Sequence, residues 1–200
     1  MKIMAVILLL VLLAFIGKQR FFSFRAQSPG DYAKAETGPA FVLKEQLSGS
    51  ILSEGLIYGP GGRVTNSFTA EMFGEWDGDT GTLSETFTYS NGKVQERKWH
   101  LTITGENRFT ATADDIVGIG EGIISGSTAS LTYNLVLPEE AGGHVLQVTD
   151  WMYLTGSGTI MNKSEMRKFG LKLVELVATM RPDPAEQGWY AVEPLRKPAE

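Results

Sequence analysis

The feature that most constrains this chain is a change of period near Gly49. From there to Met180, short runs alternate apolar and polar residues, and glycine-rich turns separate them. Successive side chains of a β-strand point to opposite faces, so such a run buries one face and wets the other. Phe68, Ala70, Met72, Gly74 and Trp76 share one face, with Thr69, Glu71 and Glu75 opposite. Ala129, Leu131, Tyr133, Leu135 and Leu137 share another, with Ser130, Thr132 and Asn134 opposite. Turns fall at "GPGG" (59–62), "DGDTG" (77–81), "SNGK" (90–93) and "GEN" (105–107), and Asn91-Gly92 is the strongest hairpin signal among them. About eight to ten such runs, joined by short hairpins without a long crossover, predict an all-β domain. Its architecture is expected to be an antiparallel up-and-down barrel of lipocalin-like character.

The flanks differ from this pattern. Ile3 to Ile16 is a run of about 14 uncharged apolar residues, roughly 21 Å long as a helix. That is short of the ~30 Å hydrocarbon core and suits the apolar region of a secretory signal. No small-x-small cleavage site follows closely, so residues 1–25 read as an uncleaved N-terminal membrane helix in preference to a cleaved signal peptide. Residues 26–40, "AQSPGDYAKAETGPA", lack periodicity and read as a linker. The barrel is expected to occupy 41–181. Within it, Ser164 as an N-cap and Gly170 as a stop predict a short C-terminal helix before the last strand, "LKLVELVATM". The proline-rich residues 182–200 read as a mobile tail.

Composition removes several classes of function. The net charge of −5 offers no basic field for nucleic acid. Cys is 0, which excludes disulfides, thiolate metal sites, cysteine nucleophiles and a lipidated cysteine, and His is only 2. "DGDTGTLSE" (77–85) lacks the full ligand spacing of a calcium loop and reads as a turn. His100 alternates with Glu96 and Lys98 and is expected to face water, and His144 borders the "EEAGG" loop. Neither sits in a recognisable triad, and no metal or cofactor is expected.

The informative residues are charges on apolar faces. Glu85 lies in register with Leu83, Phe87 and Tyr89, Arg97 with Trp99, Leu101 and Ile103, and Asp150 with Leu146, Val148 and Met152. An isolated buried ion is too costly, so these groups must be paired or neutral. One reading is an internal pair, Arg97 with Asp150 or Glu85, that fixes register. The other is a polar anchor at the base of an apolar cavity, orienting the head group of an amphipathic ligand. Trp76, Phe87, Trp99 and Trp151 would form the walls. Asp114 and Asp115 precede glycines at 118, 120 and 122. Adjacent strand residues point apart, so these acids are not expected to converge, and the glycines read as a bulged strand that lets a neighbour pack close.

The segments "ADDIVGIGEG", "DWMYL" and "IMNKSEMRKFG", in that order, resemble the bacterial domain-of-unknown-function 3833 family. The resemblance runs from about Phe41 to Arg181. It carries over Asp114, Asp115, Gly118, Gly122, Asp150, Trp151, Met152, Asn162, Met166, Lys168, Phe169, Gly170 and Glu175. Gly126-Ser127 stands where the family has Gly-Asn, and no lipoprotein-type cysteine is present. The resemblance implies a small β-rich envelope protein and supplies no activity.

The expected function is a non-catalytic barrel tethered to the bacterial inner membrane and facing the periplasm. It would bind a lipid or other amphipathic small molecule through Glu85, Arg97, Trp99, Asp150 and Trp151. The alternative is an envelope interaction or assembly module with a filled core.

Overall fold

The protein is described by a computed structural model at residues 2–21, 24–34 and 38–185. Ten strands run in simple up-and-down order: β1 (Gly49–Tyr58), β2 (Val64–Asp77), β3 (Thr80–Tyr89), β4 (Val94–Gly105), β5 (Arg108–Thr112), β6 (Ile116–Ser125), β7 (Thr128–Val136), β8 (Val145–Leu154), β9 (Ile160–Lys168) and β10 (Leu171–Pro182). Each pairs antiparallel with its neighbours in sequence, and β1 pairs with β10 to close the barrel. Closure leaves no sheet edge exposed.

The sequence alternation sets which face is buried. In β2, Phe68, Ala70 and Met72 are buried while Thr69, Glu71 and Phe73 are exposed. Phe109, Ala111, Ala129 and Val148 sit at the centre of the core. The glycine-spaced strand β6 carries a register shift between Val117 and Glu121, where Gly118 adopts a left-handed φ of +75°. A Cβ at Gly122 would stand 2.2 Å from the Phe109 ring, so the missing side chain is what lets that ring fill the interior.

One end of the barrel is stoppered. Residues 38–47, including α2 (Leu43–Gln46), cross it and bury Phe41, Leu43 and Leu47. The Phe41 amide donates to the Gly126 carbonyl at 2.9 Å, and the Trp76 indole donates to the Leu47 carbonyl at 2.9 Å. A Cβ at Gly74 would lie 2.0 Å from that same carbonyl, so the stopper requires glycine there. The antiparallel register sends the turns at 59–63, 90–93, 113–115, 137–144 and 169–170 to the opposite end.

Three expectations change. The predicted helix before the last strand is strand β9. Ser164 and Met166 face inward from it, and Lys163, Glu165 and Arg167 face outward. Phe169 and Gly170 follow with φ of 51° and 80°, the paired left-handed residues of a two-residue hairpin, so Gly170 turns a strand rather than stopping a helix. Part of the predicted linker is a strap on the outer wall. Tyr32 packs against Trp151 and Tyr153 at 5.3 and 5.8 Å, and both tyrosine hydroxyls donate to Gln27 Oε1 at 2.7 Å. Finally, α1 (Lys2–Phe21) is helical, but among the described residues no helix is long and apolar enough to cross a membrane. Its apolar run is too short for that, because charged residues resume at Lys18. Residues 186–200 of the predicted tail lie outside the described residues.

Candidate functional site

The barrel encloses a cavity of about 140 Å³ lined by both apolar and polar side chains. Leu47, Leu83, Leu101, Phe109 and Met180 line it toward the stoppered end. Farther along, Glu85, Arg97, Tyr133, Asp150, Asn162 and Ser164 stand among apolar neighbours, with Met72 directly across from Glu85 and Leu131 from Asp150. Alternation within each strand aims these polar side chains inward, and the barrel then brings β3, β4, β7, β8 and β9 around one space. Asp150 keeps accessible surface although it points inward, because that surface faces the cavity.

Glu85 and Arg97 are direct cross-strand neighbours on β3 and β4. Yet Arg97 pairs elsewhere. Its Nε donates to Asp115 Oδ1 at 3.1 Å, and its Nη2 lies 3.0 Å from the same oxygen. That second contact lacks hydrogen-bond alignment and leaves Nη2 a buried donor without an acceptor. The guanidinium stacks 3.9 Å from the Trp99 ring centroid and 5.5 Å from Tyr133, whose ring meets Trp99 edge-on at 5.2 Å. The expected Arg97–Asp150 or Arg97–Glu85 pair is therefore replaced by Arg97–Asp115. Asp115 reaches Arg97 from the turn between β5 and β6, where the strand rule that separates adjacent acids no longer applies.

Glu85 and Asp150 are left without a direct ion pair, and their acidities show it. Burial pushes the Glu85 carboxyl up to about 7. Arg97 and a hydrogen bond from Trp99 oppose the shift, while the charges of Asp150 and Asp115 add to it. Burial also raises Asp150, against hydrogen bonds from Ser164 and Tyr133 and the charge of Arg97. The Tyr133 phenol is driven well above its usual value by burial and then by Asp150, against the charge of Arg97. Asn162 completes the polar row, with Ser164 Oγ donating to its Oδ1 at 3.3 Å and its Nδ2 donating to the Trp151 carbonyl at 3.2 Å.

Of the residues expected at the site, Glu85, Arg97, Trp99 and Asp150 converge on the cavity and Trp151 does not. Trp151 is buried on the outer wall beneath Tyr32, one residue from Asp150 and so on the opposite face. Phe87 lines the cavity as expected, while Trp76 is committed to the stopper. The structure adds Tyr133, Asn162 and Ser164 to the cavity wall and Asp115 as the partner of Arg97, none of them among the expected site residues. Tyr133 carries a visible signal, a hydroxyl in an apolar row, whereas Ser164 suits a helix cap equally well. Among the described residues no group of three or more His, Cys, Asp or Glu is placed to hold a metal ion.

A family model described as "Protein of unknown function (DUF3833)" matches residues 19–182. The chain belongs to the DUF3833 family. The match takes in the strap of this DUF3833 protein as well as its barrel. No curated protein matches the sequence. Among solved structures, an S-type phycobiliprotein lyase from Guillardia theta is similar at 11% identity, over 70% of this chain and 89% of its own, with a TM-score of 0.53. A protein of unknown function from the DUF3598 family of Nostoc punctiforme is similar at 10% identity, over 72% of this chain and 50% of its own, with a TM-score of 0.50. At these identities the likeness is one of fold.

Proposed function

We propose that this DUF3833 protein is a non-catalytic binding barrel that holds the end of an amphipathic small molecule or lipid in its interior. The observation that carries the reading is the cavity itself, with Glu85, Arg97, Tyr133 and Asp150 set into an otherwise largely apolar lining. A barrel serving only as an assembly module needs neither the space nor buried carboxylates without partners. The fold shared with a phycobiliprotein lyase is compatible with a barrel that works through its interior. The site acts by placement: apolar walls take up hydrocarbon, and Glu85, Arg97, Tyr133 and Asp150 orient a polar group.

We propose, as a separate point, that the barrel lies at the bacterial inner membrane, on the periplasmic side. Residues Ile3, Met4 and Val6 to Leu13 of α1 are exposed, an apolar surface that the barrel does not cover. Removing residues 2–21 is expected to release the protein from lipid vesicles in a flotation assay, and co-flotation of the truncated chain would sink the membrane assignment.

Native mass spectrometry of the full chain, released from detergent, tests the binding role. A bound mass is expected, and it should disappear in Ser53→Phe, which directs a ring into the cavity, while the circular dichroism of the barrel persists. Protein carrying only its polypeptide mass after lipid-rich expression would overturn the reading.

A further inference from the structure

Resting on the reading of the interior as a ligand cavity, we infer that the group seated in its polar half is a protonated amine, held by Glu85 and Asp150. Glu85 is 8% exposed, lines the cavity and makes no direct ion pair. Asp150 lines the same cavity and makes no direct ion pair; beside it stand the neutral Ser164 and Tyr133, with the charge of Arg97 farther off. The one cation on the wall, Arg97, is already matched by Asp115. No other strand supplies a countercharge. β1 offers Ser53 and β2 offers Met72, directly across from Glu85. β9 offers Asn162, Ser164 and Met166, and β10 offers Leu176, Ala178 and Met180. Tyr89, farther along β3, is a neutral phenol that hydrogen-bonds to Gln95.

The polar half thus holds two carboxylates without an ion pair, Glu85 and Asp150, beside a guanidinium that Asp115, outside the lining, already matches. An anionic ligand would add a further negative charge in a low-dielectric space. A cation supplies the missing charge and turns the cost of burying Glu85 and Asp150 into attraction. The unaligned Arg97 Nη2 adds a donor for a neutral oxygen on the ligand, and it does not call for an anion because Asp115 already balances Arg97.

The amine reading has a proton consequence. Glu85 titrates near neutrality in the empty cavity. A cation beside it favours the carboxylate, so binding an amine that arrives protonated displaces a proton to solvent, and affinity rises with pH. The volume sets the probes: about 140 Å³ is close to a cavity that admits benzene. Benzylamine, benzyl alcohol and benzoate share one ring and differ only in head group.

Isothermal titration of the full chain in nonionic detergent decides among them. Benzylamine is expected to bind about tenfold or more tightly at about pH 8 than at about pH 5.5. Its heat should differ between phosphate and Tris buffers by the release of a proton. Benzyl alcohol should bind weakly with no pH dependence, and benzoate not at all. Glu85→Gln and Asp150→Asn should each lower benzylamine affinity at pH 8 while the circular dichroism of the barrel is unchanged, the control that it still folds. Benzyl alcohol bound with no preference for the amine would overturn the inference and leave the ligand cavity standing. Benzoate bound more tightly than benzylamine would overturn it as well. If none of the three binds and native mass spectra show only the polypeptide, both readings fall. Incubation with vesicles of phosphatidylethanolamine separates two sources of the amine. A retained lipid mass assigns it to a head group, and benzylamine binding without lipid uptake assigns it to a small free amine.

Discussion

Two charged clusters, one on the outer face of β9 and β10 and one in the interior of the barrel, are built to different rules. On the outside of β9 and β10, Lys163, Glu165, Arg167, Lys172 and Glu175 interlock. Arg167 donates to Glu165 through Nε at 2.9 Å and Nη2 at 2.5 Å, and to the Gly170 carbonyl through Nη1 at 2.8 Å. Lys172 pairs with Glu175 at 2.5 Å and approaches Glu165 at 3.8 Å, and Lys163 reaches Glu175 at 3.3 Å. Three cations meet two carboxylates, and each carboxylate has two of them. Burial raises the Glu175 carboxyl, but hydrogen bonds and charge from Lys172 and Lys163 outweigh it and hold the group below its usual value. Inside, the one guanidinium pairs with Asp115 and leaves Glu85 and Asp150 without an ion pair, and Glu85 stands near 7. The first arrangement is closed and needs nothing more. The second lacks a cation, which is why the inner cluster and not the outer one is the candidate site.

Substitutions test that contrast. The largest effect is expected from Arg167→Met. It leaves Glu165, 4% exposed, with only the distant Lys172, and should cost about 3–5 kcal/mol in urea unfolding. Glu85→Gln should do the opposite. The folded protein holds a proton at Glu85 up to about pH 7, whereas an ordinary glutamate releases it near 4.5. Stability from this group is therefore complete below about 4.5 and is lost as pH rises through 7. At pH 8 the glutamine variant should be more stable by about 3 kcal/mol, and below pH 4.5 the gain should vanish. A loss at both pH values would mean that the inner cluster is structural like the outer one. Asp150→Asn should show the same sign and pH sense with a smaller rise in melting temperature, because Ser164 and Tyr133 already hydrogen-bond to the carboxylate. Smallest of all, Lys163→Met should change stability by less than about 1 kcal/mol, since that pair is more exposed and Lys172 still holds Glu175. A larger loss would show that the outer cluster acts as one unit through Lys163.

Much of the site was legible along the chain. The alternation that put Glu85, Arg97 and Asp150 on apolar faces is the alternation found, because a strand carries its two faces in its own residue order. The same rule turns Trp151 outward, away from its neighbour Asp150. The size and burial of that indole suit a cavity wall, but its register does not. The segment 163–169 was ambiguous for a local reason. Ser164 and Gly170 suit a helix cap and stop, yet they also suit an inward polar residue and a hairpin turn, and only pairing of β9 with both β8 and β10 selects the strand.

The sequence by itself determined that this chain would be a meander of two-faced strands, where its hairpins turn, and which charges point inward. Those are local properties, fixed by a period of two and by glycines that permit left-handed turns. Tertiary structure decided the rest. Closure of β1 on β10 makes an interior of what would otherwise be one face of an open sheet. The β5–β6 turn swings Asp115 onto Arg97. Residues 38–47 stopper one end, and the strap buries Trp151 against the outer wall. Each of these joins residues far apart in sequence, and their meeting depends on how many strands the barrel has and how they are staggered. No local pattern carries that information, so the inward charges were visible in the sequence and the pairing of Arg97 with Asp115 was not.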